Sequence, residues 1–100
     1  MIIITGPQCR AARALVQLTA GQVARKAGID PQVILDFEIG RADPGEEVKR
    51  LLCQTLEEAG AVFIPENGGG LGVRLKYSRR DVRGVNKWEG EGGTVGEDDV

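Results

Sequence analysis

Along the first sixty residues the apolar side chains recur three and four positions apart, the signature of helices with one buried face. Four such stretches are present. In the first, about residues 6–18, Ala11, Ala14, Leu15 and Leu18 mark the expected inner face. In the second, Val23, Ala24 and Ala27 form a small-residue face that lets a neighbouring helix come close. Ile29, Ile34 and Phe37 turn inward around the third. Val48, Leu51, Leu52, Thr55, Leu56 and Ala59 make the stripe of the fourth. Beyond Gly60 the pattern changes. Ala61-Val62-Phe63-Ile64 and Val73 to Tyr77 are strand-like runs, separated by turn-forming residues centred on Asn67-Gly68-Gly69-Gly70.

The polar residues between these stretches act as punctuation. Thr5 with Gln8, and Thr19 with Gln22, have the spacing of a capping box, and Pro7 is tolerated in a first helical turn. Gly28 suits the left-handed residue that ends the second helix. Asp30-Pro31 then supplies an N-cap and a first helical residue for the third, which Gly40 closes. Asp43-Pro44 is expected to start the fourth helix by the same logic, with Glu46 and Glu47 favourable at its positive end. A two-stranded hairpin is marginal alone. The one expected over residues 61–77 therefore needs a partner surface, either a third strand from Ile2-Ile3-Ile4 or the strands of a second subunit. Ser78 with Asp81 caps a further short helix, residues 78–89, which places Val82, Val85 and Trp88 on one face. Residues 90–100 are an acidic, glycine-rich tail expected to be disordered.

Composition narrows the functional classes. One hundred residues, 41% of them apolar, suffice for one domain with a modest core. No apolar run is long enough to span a bilayer, and Met1-Ile2-Ile3-Ile4 is too short and uncharged for a secretory signal, so a soluble cytoplasmic protein without membrane partners is expected. There is no histidine, which removes imidazole catalysis and imidazole metal ligation. Cys9 and Cys53 each fall inside a helix and read as buried free thiols; without further ligands they form no metal set, and no cofactor is expected. Gly68-Gly69-Gly70 lacks the lysine and helix start of a phosphate-binding loop. No nucleophile–base set is visible, and an enzyme is not expected. The net charge of −2 hides a segregation: residues 1–76 balance, residues 77–88 carry +3 and residues 89–100 carry −5. A broad basic footprint is missing, and the local one, Arg79, Arg80, Arg83 and Lys87, adds at most non-specific attraction to nucleic acid.

The run Thr19, Val23-Ala24, Gly28-Ile29, Ile34, Phe37-Glu38, Gly40-Arg41 and Pro44 resembles the Cro and phage-repressor (Xre-like) helix-turn-helix family of transcriptional regulators. The likeness covers about residues 6–59. The following segment, LEEAGAVFIPENGGGLGVRL, is similar to a tail common in small alphaproteobacterial regulators of this type. The resemblance implies a mainly α fold, a four-helix lambda-repressor-like domain over residues 5–60 followed by a β-hairpin that serves as a dimerisation element through Val62, Phe63, Ile64, Val73 and Leu75. It also implies an ion pair between Arg13 and Glu38 that ties the first helix to the third. Its implied activity is sequence-specific binding of double-stranded DNA by a homodimer, with residues 31–39 in the major groove.

The residues expected at that interface are Thr19, Gly21 and Gln22 at the start of the second helix, then Gln32, Val33, Leu35 and Asp36, and Arg41. Free N–H groups at a helix start suit a phosphate. Gln32 addresses adenine, Val33 and Leu35 suit thymine methyl groups, and Asp36 accepts from cytosine. Arg41 is the nearest phosphate contact, with Arg25 and Lys26 behind it. The chain also departs from the family pattern. Ala20 stands where the family commonly places glutamine, and Pro31, Leu35 and Asp36 occupy positions usually polar or basic. These departures keep a second reading open, in which helix 31–39 binds a protein partner and the chain antagonises or co-regulates another DNA-binding protein.

Overall fold

The computed structural model describes residues 3–76, which form α1 (Gly6–Val16), α2 (Ala20–Ala27), α3 (Pro31–Glu38), α4 (Glu46–Glu58), β1 (Ala61–Ile64) and β2 (Gly72–Leu75). It is a small, mostly helical fold with one two-stranded antiparallel sheet. The helix expected over residues 78–89 and the tail after it lie outside the described residues, as do Ile2 and Tyr77. Among the described residues no helix is long and apolar enough to cross a membrane.

Both capping boxes close. Thr5 Oγ1 accepts from the Gln8 N–H at 3.2 Å while Gln8 Oε1 accepts from the Thr5 N–H at 3.0 Å. Thr19 and Gln22 repeat the exchange at 3.0 and 2.9 Å. The start of α4 differs from expectation. Asp43 and Pro44 precede the helix, and its N-cap is Gly45, with φ 93° and no side-chain cap. Asp43 Oδ1 instead accepts from the Gly45 N–H at 2.8 Å, and its carboxylate meets Lys49 Nζ at 3.2 Å. A short acid that bonds the N–H two residues ahead makes its own turn in place of a helix cap. Those two donors, the Gly45 N–H foremost, hold the Asp43 carboxyl below its ordinary range. Lys49 also lies 5.7 Å from the centre of the Phe37 ring, which links α4 to the end of α3.

The buried face of α1 is a second correction. Gln8, Cys9, Ala12 and Val16 are buried, whereas Ala11 and Ala14 are exposed and Leu15 is 36% exposed. The helix ends at Val16, short of Leu18, because Gln17 adopts a left-handed conformation with φ 61°. α1 carries small or apolar residues on both sides, so periodicity alone could not choose between them. The side that is buried is the one on which Gln8 reaches the hairpin and Arg13 reaches Glu38. In α4 the buried residues are Leu52, Cys53, Thr55 and Leu56, while Leu51 is 37% exposed and drops out of the expected stripe.

The core is continuous, with Ile4, Val23, Ile34, Leu52 and Leu56 fully buried. Ile4 thus enters the core as a side chain, and the third strand, one of the two alternatives for the hairpin's partner, does not form among the described residues. The hairpin finds its partner surface on α1 and α4. Register pairs Ala61 with Leu75, Val62 with Arg74, Phe63 with Val73 and Ile64 with Gly72. Ala61 and Phe63 are buried, and Val73 and Leu75 pack against the same core. Val62 and Ile64 alternate to the other face and stay half-buried.

Gln8 fastens this hairpin. Its Oε1 is held by the Thr5 cap, which aims Nε2 at the Ile64 and Gly72 carbonyls, 3.2 and 2.9 Å away. One side chain therefore caps α1 and bonds both strands at their turn-side end.

Cys9 and Cys53 are free thiols, both fully buried. Burial, reinforced by the neighbouring Glu38, raises the Cys9 thiol far above its ordinary value, and burial beside Glu57 pushes Cys53 up to about 11. An unfolded thiol ionises near pH 8.5. Above that pH the unfolded chain releases protons that the folded chain retains, so the contribution of the two thiols to stability is level below about pH 8 and declines between about pH 9 and 11. Alkylation by iodoacetamide at pH 8 should be negligible in native protein and should modify both cysteines in denaturant. Rapid native labelling of either would contradict the burial.

Candidate functional site

The surface that carries the sequence-derived candidates is built on α2 and α3, which pack on each other and are joined by Gly28-Ile29-Asp30. Gly28 ends α2 with φ 76°, a conformation cheap only for glycine, and its N–H bonds the Ala24 carbonyl at 2.8 Å. The Ile29 N–H reaches the same carbonyl at 3.0 Å, and its side chain packs on the core. Asp30 Oδ1 then accepts from the Gln32 N–H at 2.9 Å and starts α3.

α3 is fixed from behind. Its Ile34 and Phe37 enter the core, and the Glu38 carboxylate, 3% exposed, receives Arg13 Nε and Nη2, each at 2.7 Å. Cys9 donates its thiol to Glu38 Oε2 at 3.3 Å, and Arg13 Nη1 bonds the Leu18 carbonyl at 3.2 Å. Hydrogen bonding to Glu38 outweighs desolvation and raises the Arg13 guanidinium above its ordinary value. At the other contact between α1 and α3 the backbones nearly touch, since a β-carbon at Gly6 would collide with the Phe37 carbonyl. Nothing in the hydrophobic pattern signals this need for glycine at Gly6.

The outward face of α3 consists of Gln32, Leu35, Asp36 and Ile39, spaced three and four apart. Leu35 is 40% and Ile39 64% exposed. Gln32 is exposed, Asp36 half-buried, and Gln32 Nε2 donates to Asp36 Oδ1 at 3.0 Å. Val33 is half-buried, between the two faces. Thr19 and Gln22 are exposed but already bonded to each other. Ala20 is buried against the core. Gly21 is not required by the fold, because an added β-carbon would meet only Thr19 Oγ1, at 3.8 Å. The Arg41 backbone N–H bonds the Asp36 carbonyl at 2.8 Å, and its exposed side chain makes no hydrogen bond or ion pair among the described residues.

Beside this face lies an open groove of about 470 Å³, walled by Gly6, Pro7 and the chain from Phe37 to Asp43. Its two carboxylates, Glu38 and Asp43, are both committed to cations and N–H groups. Among the described residues no group of three or more potential metal ligands comes together. The hairpin turn is held by its own side chains: Glu66 accepts from the N–H groups of Gly68 and Gly70, and Asn67 from that of Gly69. The Gln32–Asp36 bond could have been read from the i, i+4 spacing, whereas the role of Gln8 could not.

No protein-family model and no curated protein matches this chain.

Proposed function

We propose that the protein is a helix-turn-helix transcriptional regulator that binds double-stranded DNA as a homodimer, with α3 as the recognition helix in the major groove. The observation that carries this reading is the mounting of α3. Its inner face is anchored by core side chains and a two-pronged ion pair, and its outer face presents Gln32, Leu35 and Asp36. Gly21 supports it, because a helix-weakening glycine that the fold does not need leaves room for a phosphate at the start of α2. Phe63, Val73 and Leu75 are engaged with the chain's own core, so the surface left for a dimer contact on the hairpin is Val62 and Ile64. The region is assigned no catalytic role and no cofactor.

An electrophoretic shift with the DNA upstream of the protein's own coding region tests this reading. With about four phosphate contacts per dimer, affinity should fall about a hundredfold between 50 and 200 mM salt. Arg41→Ala should weaken binding to every sequence alike and flatten the salt dependence. Gly21→Ala should leave the fold intact, or stabilise it by at most about 1 kcal/mol, while weakening binding. The exposure of Leu35 and Ile39 favours a second reading, a protein-binding face on α3. If the folded protein binds no duplex at low salt, the assignment moves to that reading.

A further inference from the structure

We infer that Asp36 is a positioning residue that locks the Gln32 carboxamide in the orientation that selects adenine. This inference rests on the DNA-binding reading above. Its starting point is the bond from Gln32 Nε2 to Asp36 Oδ1 at 3.0 Å, one helical turn along the outward face of α3. The main chain at Asp36 is fixed by its backbone carbonyl, which accepts the Arg41 and Ala42 N–H groups at 2.8 and 3.3 Å.

A free glutamine on a helix surface rotates about its last bond and offers donor and acceptor in either order. A carboxylate only accepts. Beside Asp36, a flipped amide would set Oε1 against Oδ1, so the nitrogen stays on the Asp36 side. One amide hydrogen goes to Asp36. When Asp36 takes the hydrogen anti to Oε1, the other, on the same edge as Oε1, remains available. That edge, one donor beside one acceptor, matches adenine, which offers N7 as acceptor and N6–H as donor. Guanine offers two acceptors and could satisfy only half of it. The acid also repels phosphates, so its presence on this face costs affinity; the orientation of Gln32 is what that cost supports. No other side chain among the described residues bonds the Gln32 amide.

The test is selection of binding sites from a library of randomised duplexes by the full chain and by Asp36→Asn, Asp36→Ala and Gln32→Ala. Chain folding is monitored by circular dichroism. Asparagine keeps the size of the side chain but both donates and accepts, so it permits either orientation of the amide. The wild type should prefer adenine about tenfold at one base pair of each half-site. Asp36→Asn and Asp36→Ala should reduce that preference to about twofold. Gln32→Ala should abolish it, and adding Asp36→Asn to Gln32→Ala should change selectivity no further. A rise in affinity with the adenine preference intact would make Asp36 only a repulsive charge and overturn the inference. So would a wild-type preference that survives Gln32→Ala. Absence of any duplex binding by the folded wild type overturns the DNA-binding reading as well, which separates the two failures.

Discussion

Arg13→Ala should destabilise the fold by about 3–5 kcal/mol, because it strands the Glu38 carboxylate at a site only 3% exposed. A loss of that size is a large fraction of what a domain of this length possesses. The two short bonds from Nε and Nη2 go together, and Nη1 leaves the Leu18 carbonyl as well. What remains for the carboxylate is the Cys9 thiol, a weak donor at 3.3 Å. Urea denaturation followed by circular dichroism measures the effect, with Arg10→Ala as the control, since Arg10 is exposed on the same helix and should stay within about 0.5 kcal/mol of wild type. The double variant Arg13→Met/Glu38→Leu should recover much of the loss, because an apolar pair leaves no buried charge. A cost below about 1 kcal/mol for Arg13→Ala would mean that Glu38 reaches water in solution. On the DNA-binding reading proposed above, α3 should keep its helical residues but lose its fixed placement against α1, so affinity for duplex DNA should drop before the chain unfolds.

The second large effect is expected at Gln8. Gln8→Leu removes the acceptor for the Thr5 N–H and the donor for the Ile64 and Gly72 carbonyls. Losing these bonds costs about 3 kcal/mol, since each is worth about 0.5–1.5 kcal/mol and the Thr5 N–H also loses its acceptor, while Ile64 and Gly72 stay paired in the sheet. Hydrogen exchange locates the damage. Amide protection in β1 and β2 should collapse, while that of α2 and α3 falls only with global stability. Gln8→Glu separates the two functions of the side chain. It keeps an oxygen for the Thr5 cap but sets a second oxygen against two carbonyls, so α1 should retain its start and the hairpin should detach. Equal loss of protection in all elements would show that the hairpin and the helices open as one unit, and that Gln8 does not fasten the hairpin separately.

Gln8 also marks the limit of local sequence patterns. Thr5–Gln8 was legible as a cap because a capping box is local, three residues apart and independent of the rest of the chain. The second bond set of the same glutamine joins residues 56 and 64 positions away, and no local pattern encodes it. The start of α4 failed for a related reason. Asp43 has the chemistry of an N-cap, but the Gly45 N–H and Lys49 compete for its carboxylate. On the candidate face, exposure of Gln32 and Leu35 followed from helical spacing, whereas the burial of Ala20 and the freedom around Gly21 emerged only from how α2 sits on the core.

Over the described residues the sequence by itself determined the kind and order of elements: four short helices, the N-caps of the first three, their glycine stops, and a hairpin with a glycine-rich turn. Those are consequences of hydrogen bonds and steric limits within a few residues of one another. The tertiary structure decided which side of α1 is buried, that Ile4 is core and not strand, that the hairpin rests on α1, and that Gln8 holds it there. It also brought Cys9, Arg13 and Glu38 into one buried cluster behind α3. Such choices depend on packing between segments far apart in the chain. α1 offers two faces of similar hydrophobicity, and only the polar partners on the other elements distinguish them.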